Sequence, residues 1–209
     1  MYMIRMNYIR IFTKIYENDS WGRKVNNRSA FSGSSGQHSS KQYTQRYNKF
    51  LKKFILEHKI TTVVDLGCGD WQSSHEIYKV YPGIVYTGYD AYKKIIDSHT
   101  RMYPQYEFIH LDIIEDMYLI ENADLCIIKD TLQYIKTRDI KKLLNFLIQF
   151  KKCKYIILCN SFNQSWENEE CTNHQVGRGL ILGMNPLRSF SCKHLFYFND
   201  KQVSILQLY

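Results

Sequence analysis

Five apolar, β-branched runs separated by amphipathic stretches fill the middle of this chain, and they leave few folds open. The runs are TTVVDL (61–66), IVYTGYD (84–90), EFIHLD (107–112), ADLCIIKD (123–130) and KYIILCN (154–160). Strands this continuously apolar are covered on both faces, which means a parallel sheet between two layers of helices. The intervening segments supply those layers. Ser73 to Glu76 has capping-box spacing and opens a short helix toward Tyr81, which Pro82-Gly83 stops. Residues 93–102 read as a helix. Residues 138–150 carry Ile140, Leu143, Leu144, Leu147 and Ile148 on one face.

The expected architecture is a doubly wound α/β sheet, whose ligands sit beyond the C-terminal ends of the strands. LFYF (195–198), an Asn-Asp turn and VSILQLY (203–209) add an antiparallel hairpin at its edge. At 209 residues the chain has room for one substantial core. Residues 1–42 read as a leader followed by a Ser/Gly loop, and 43–209 as the folded domain. Ser39 or Ser40 caps the helix that opens this domain. Tyr43, Tyr47, Phe50, Leu51, Phe54 and Ile55 form that helix's apolar face, and Arg46, Lys49, Lys52 and Lys53 its outer face.

The chemistry concentrates in VVDLGCGDW (63–71). A strand ends in Asp65, the chain turns through Gly67-x-Gly69, and a helix begins. Glycines let backbone approach a ligand, and a helix N-terminus offers N–H groups to an anion. A pyrophosphate does not suit this turn, because Asp70 follows the second glycine and no third glycine or GK[ST] is present. An α-amino acid suits it better: a carboxylate for the N–H groups and an ammonium for an aspartate. Asp90 ends the second run, where a carboxylate accepts both hydroxyls of a ribose. Asp112 ends the third, within reach of an adenine amino group, and Asp130 ends the fourth.

VVDLGCGDW, YTGYD, FIHLD, CIIKDTLQYI and YIILCNSF together resemble the strand-end motifs of the class I S-adenosylmethionine-dependent methyltransferases, over about residues 60–160. The resemblance implies a Rossmann-like fold and S-adenosylmethionine as cofactor. Asp65, Gly67 and Gly69 would hold the methionyl part, Asp90 the ribose, and Asp112 with Ile113 the adenine. FTKIYENDSWG (12–22), then SGSSG (32–36), is similar to the F-x-x-I-Y…W-G…S-G leader of one subgroup. Arg178, Leu180, Leu182 and Pro186 match its R-x-L-x-L-x-x-x-P tail. Trp21 and Gly33 would then belong to a lid near the sulfonium. The family's third glycine is Trp71 in this chain.

On the acceptor side, the family places residues such as Lys129 and Asp130 against the methyl group. Asp130 is the candidate base, needing burial or a partner such as His174 or His110 to work near neutral pH. Tyr134, Asn160 and Arg178 are the candidates for acceptor contact. Cys159-Asn160-Ser161-Phe162 after the fifth run favours an oxygen acceptor on a sugar or other small molecule. RNA is the alternative, because residues 1–60 hold twelve Lys/Arg against three Asp/Glu. There Arg23, Lys24 and Arg28 would join the basic helix face, with Tyr2, Tyr8 and Trp21 for stacking. A catalytically inactive binding subunit is a third reading. Cys171-x-x-His174 and Cys192-x-His194 are spaced too unevenly for a structural zinc, so no metal is expected. No apolar run approaches the ~18 residues of a membrane span. Met1 to Tyr16 lacks the apolar core of a secretory signal, and six cysteines form no CxxC pair. The expected setting is reducing and cytoplasmic, with Cys126 and Cys159 as buried thiols.

Overall fold

All the expected strands form: β1 (Thr62–Leu66), β2 (Val85–Asp90), β3 (Glu107–His110), β4 (Ala123–Lys129), β5 (Cys153–Ser161), β6 (Lys193–Phe198) and β7 (Lys201–Gln207). The computed structural model describes residues 7–22, 35–36, 40–162, 171, 174 and 176–208. One sheet holds the seven strands in the order β3-β2-β1-β4-β5-β7-β6. The first five are parallel; β7 runs antiparallel to β5, and β6 antiparallel to β7. The chain winds outward from β1 to β3 and then returns to lay β4 on the other side of β1. That reversal opens a crevice above the C-terminal ends of β1 and β4.

Among the described residues five α-helices cover the sheet: α1 (Tyr8–Glu17), α2 (Lys41–Glu57), α3 (Gln72–Tyr78), α4 (Lys93–Met102) and α5 (Thr137–Gln149). Alternation along the strands divides the core in two. Val63, Tyr86, Ile127, Ile157 and Val203 pack with residues of α2, α3 and α4. Val64, Cys126, Ile128, Leu158 and Leu206 pack with α5 and with Tyr8 of α1. α5 buries Ile140, Leu143, Leu144 and Leu147 completely, each contributing about 1.5–3 kcal/mol of transfer free energy. Cys126 and Cys159 are buried free thiols, as expected. Among the described residues no helix is long and apolar enough to cross a membrane.

Three local outcomes differ from the expectation. The capping box at Ser73 does not form: α3 starts at Gln72, two residues earlier than such a cap would set it, behind Trp71 in the left-handed region at φ 54°. The Ser73 hydroxyl lies 2.8 Å from both Thr44 Oγ1 and Asn48 Oδ1, tying α3 to α2. β3 stops at His110, so Asp112 lies two residues past the strand. And the leader contains a helix, α1, whose first turn is capped by Asn7 accepting from the Arg10 N–H at 2.8 Å.

Candidate functional site

The C-terminal ends of β1, β2 and β4 open into a cavity of about 1100 Å³, open solvent included. Its floor is the glycine turn after β1. Gly67 adopts φ 87°, and a Cβ there would collide with Thr131; at Gly69, φ 58°, a Cβ would lie 2.5 Å from Ser35 Oγ. Both glycines are therefore demanded by what packs on the turn as well as by its conformation. The turn's own N–H groups are spent internally. Those of Gly67 and Cys68 donate to the Tyr89 carbonyl at 2.8 and 2.9 Å. Gly69 donates to Asp90 Oδ2 at 3.0 Å, and Asp70 to Ser35 Oγ at 2.8 Å.

Two buried carboxylates face the cavity. Asp65 accepts from the Tyr86 hydroxyl at 2.9 Å and the Ser74 hydroxyl at 3.3 Å. Burial pushes its carboxyl up to about 6, against the Tyr86 hydrogen bond and the Lys129 charge, which pull it down. Asp90 accepts from the N–H groups of Gly69 and Tyr92, the latter at 2.9 Å, and burial likewise pushes it up to about 6. Both bonds to Asp65 fall on Oδ2, which leaves its Oδ1 for a ligand, and each oxygen of Asp90 keeps a further lone pair.

The third carboxylate, Asp130 at the end of β4, is different. Lys129 Nζ lies 2.5 Å from one of its oxygens and Lys201 Nζ 2.7 Å from the other. Burial works to raise its pKa, but the two ammonium groups outweigh it and hold the carboxyl below its ordinary range. Lys201 is 0% exposed. It also donates to Ser161 Oγ at 2.6 Å and pairs with Asp200 at 3.6 Å. Ser161 and Tyr43 both donate to Asp200.

The leader closes the cavity from above. Tyr16 stacks on Tyr92 with centroids 4.7 Å apart, and its hydroxyl meets Ser35 Oγ at 3.1 Å. Trp21 packs on Tyr16, Phe12 and Tyr134. At the start of α1, the Tyr8 N–H donates to Asp112 Oδ2 at 3.0 Å and the Tyr8 hydroxyl to Asp139 Oδ2 at 2.8 Å.

No family model matches the sequence, and no curated protein matches it significantly. Solved structures do share its fold at low identity. Magnesium protoporphyrin IX methyltransferase from Synechocystis PCC 6803, solved with bound SAM, superposes at a TM-score of 0.62 and 14% identity, over 97% of this chain and 98% of that one. The methyltransferase domain of bacterial CtHen1-C gives 0.61 at 11% identity, over 79% and 98%. Human N-acetylserotonin methyltransferase gives 0.52 at 15%, over 81% of this chain and 57% of that enzyme. The fold is that of the class I S-adenosylmethionine-dependent methyltransferases.

Within this methyltransferase fold, Asp65, Gly67, Gly69, Asp90, Ile113, Trp21, Lys129, Asp130 and Tyr134 all line the cavity. Asp112, Asn160 and Arg178 do not line it. Asp112 accepts three backbone N–H groups, from Tyr8, Ile114 and Glu115, and so anchors the leader. Arg178 is buried against Thr137 Oγ1 (2.8 Å) and the Ile135 carbonyl (2.9 Å), where it ties the tail to the start of α5. Asn160 points to the opposite face of β5 from Ser161, and both are buried. Gly33 lies outside the described residues. The histidine partner expected for Asp130 is not what the structure supplies. His110 is within hydrogen-bond distance of the Ala91 carbonyl, and His174 of the Tyr134 carbonyl and Cys171, while two lysines hold Asp130. Among the described residues no cluster of three metal-binding side chains occurs. Sequence reasoning missed Lys201, Tyr47 and the α1 aromatics Tyr8, Phe12 and Tyr16 as parts of this region. Phe12 and Tyr16 carried a signal as positions of the F-x-x-I-Y leader, and Lys201 carried one in its period-two spacing with Val203 and Ile205.

Proposed function

We propose that this protein is an S-adenosylmethionine-dependent methyltransferase acting on an oxygen of a small acceptor, a sugar or another hydroxyl-bearing molecule. The observation that carries the reading is the pair of buried carboxylates, Asp65 and Asp90, on the neighbouring strands β1 and β2 beside the switch point of the sheet. Two buried carboxylates are costly unless donors meet them, and the cofactor offers two kinds. Asp65 takes the ammonium of the methionyl part. Asp90 takes the ribose hydroxyls, each of its oxygens keeping one backbone N–H. Leu111, Ile113 and Ala91 line the apolar part of the same cavity, which suits the adenine ring.

Bound there, the cofactor supplies an electrophilic methyl group on a sulfonium. The protein's part is to orient the two reactants in line and to exclude water. Tyr16, Trp21 and Phe12 form the wall that excludes it. Lys129, Asp130 and Tyr134 surround the methyl-bearing end. The lowered pKa of Asp130 makes it a weak proton acceptor, so positioning carries more of the reaction than base catalysis does.

The basic residues of α2 do not line this cavity. Arg46 and Lys49 are exposed on the helix face opposite Tyr47 and Leu51, with Arg46 over the Phe196 ring at 5.4 Å, and Lys53 pairs with Glu57. Tyr8, one candidate for stacking on RNA, is buried, and Trp21 lines the cavity. Tyr2, Arg23, Lys24 and Arg28 lie outside the described residues. These observations favour a small acceptor over RNA.

Calorimetry with S-adenosylhomocysteine tests the cofactor assignment, and saturable one-to-one binding is expected. No binding at millimolar ligand would sink the reading. A product screen then tests the acceptor. Methylation of RNA, with a log–log salt slope near −4 as for about five phosphate contacts, would overturn the small-acceptor assignment. Cofactor binding with no product on any acceptor class would favour an inactive binding subunit.

A further inference from the structure

An α-amino acid brings a carboxylate as well as an ammonium, and the glycine turn has no N–H group left for it. The N–H groups of Gly67, Cys68, Gly69 and Asp70 are committed to Tyr89, Asp90 and Ser35. Redirecting them would unpair the Tyr89 carbonyl and one oxygen of Asp90, each a cost comparable to the bond gained.

A different donor lines the same cavity. Tyr47 of α2 is 2% exposed, and its hydroxyl has no hydrogen-bond partner among the described residues. A buried, unsatisfied hydroxyl is uncommon in a folded protein and marks a place where a partner arrives. The Tyr86 hydroxyl is engaged with Asp65 and that of Tyr16 with Ser35, while the Tyr78 hydroxyl, also buried without a partner among the described residues, does not line the cavity.

We propose that the Tyr47 hydroxyl, and not the glycine turn, receives the α-carboxylate of the bound cofactor. The proposal rests on the methyltransferase reading and deepens it. Three features of the site support it. Ammonium and carboxylate sit on one carbon, so their partners must be neighbours, and Asp65 is among the groups whose charge acts on Tyr47. Burial keeps the Tyr47 phenol protonated, so it donates. A carboxylate accepts only, and it is the one group of the zwitterion that a fixed donor can serve. The Ser73 knot to Thr44 and Asn48 fixes α2 against α3, which holds Tyr47 in place beside the turn.

The test is calorimetry of two ligands on wild type and Tyr47→Phe. S-adenosylhomocysteine carries the amino acid, whereas 5′-methylthioadenosine keeps the adenosine and thioether without it. Tyr47→Phe should weaken S-adenosylhomocysteine binding by roughly tenfold to a hundredfold, the range of one charge-assisted hydrogen bond. It should leave 5′-methylthioadenosine binding within about twofold. Unchanged S-adenosylhomocysteine affinity overturns the assignment. So does an equal loss on both ligands, which would mean the ring acts by packing alone. Wild-type protein that binds neither compound overturns the methyltransferase reading itself, and the assignment with it. A denaturation midpoint equal to wild type confirms that Tyr47→Phe folds.

Discussion

Asp90, Asp65 and Asp130 end three adjacent strands, and all three are largely withdrawn from water, yet they titrate in opposite directions. The first two meet only N–H and O–H dipoles within hydrogen-bonding distance, and burial lifts both to about 6. The third meets two ammonium groups and is held below the ordinary carboxylate range. Position in the fold does not set what a carboxylate does; its immediate neighbours do. The β1–β2 side is thus built to receive donors. The β4–β7 side has already satisfied its charge internally and is built to hold its shape. Asp130 itself sits at φ 55°, a conformation costing a non-glycine residue about 1–3 kcal/mol, and the two lysines fix it there.

The largest expected effect tests the satisfied side. Lys201→Met keeps most of the side-chain volume but leaves Asp130 and Asp200 without their shared cation. Breaking a buried pair in this way costs about 3–5 kcal/mol, which urea denaturation would report as a lower midpoint. A wild-type midpoint would mean that the row of charges contributes nothing net.

Next in size is the pH response of the receiving side. Folded Asp65 and Asp90 keep their protons up to about pH 6, whereas the unfolded chain releases them near 4. The folded state therefore binds more protons between those values, and ligand-free stability falls as pH rises from about 4 to 6. Each carboxylate contributes on the order of 2–3 kcal/mol to that fall. Affinity for S-adenosylhomocysteine moves the other way, weakening as pH drops below about 6, because the ammonium needs an ionised Asp65. Thermal melts and calorimetry across pH 4–8 would show both trends; Asp65→Asn should flatten each.

Asp90→Ala sharpens the comparison further. It should cost about 1.5–3 kcal/mol of ligand affinity, one to two decades in Kd, with folding retained by circular dichroism. Asp70→Ala should have the smallest effect. Asp70 also lines the cavity, but its carboxylate is spent on Gln72 and the Ser35 N–H, so Kd should change by less than about threefold. A larger loss for Asp70 than for Asp90 would reverse the assignment of the ribose.

The sheet was legible because its signal is local: apolar runs ending at Asp65, Asp90 and Asp130 locate β1, β2 and β4 within a residue or two. The receiving side of the site was legible for the same reason, since a strand end followed by Gly67-x-Gly69 fixes where the backbone turns. What escaped the sequence depends on partners far along the chain. Asp112 looks like its fellow strand-end acids until Tyr8 claims it. Ser73 has the spacing of a cap, but Thr44 and Asn48 from α2 take its hydroxyl. Lys201 follows an Asn-Asp turn and reads as solvated. The pairing of Lys201 with Ser161 in the β5–β7 register, on the face it shares with Val203 and Ile205, turns it inward.

The leader helix has a consequence for how the molecule comes together. Tyr8 is fixed by Asp112 and Asp139, partners 104 and 131 positions further along the chain. Loop closure over such spans gives no return until β3 and α5 have been laid down. Docking of α1 thus waits for segments more than a hundred residues further along the chain. Until then, the chamber has a floor of strand ends and no roof, and the docking of α1 covers it.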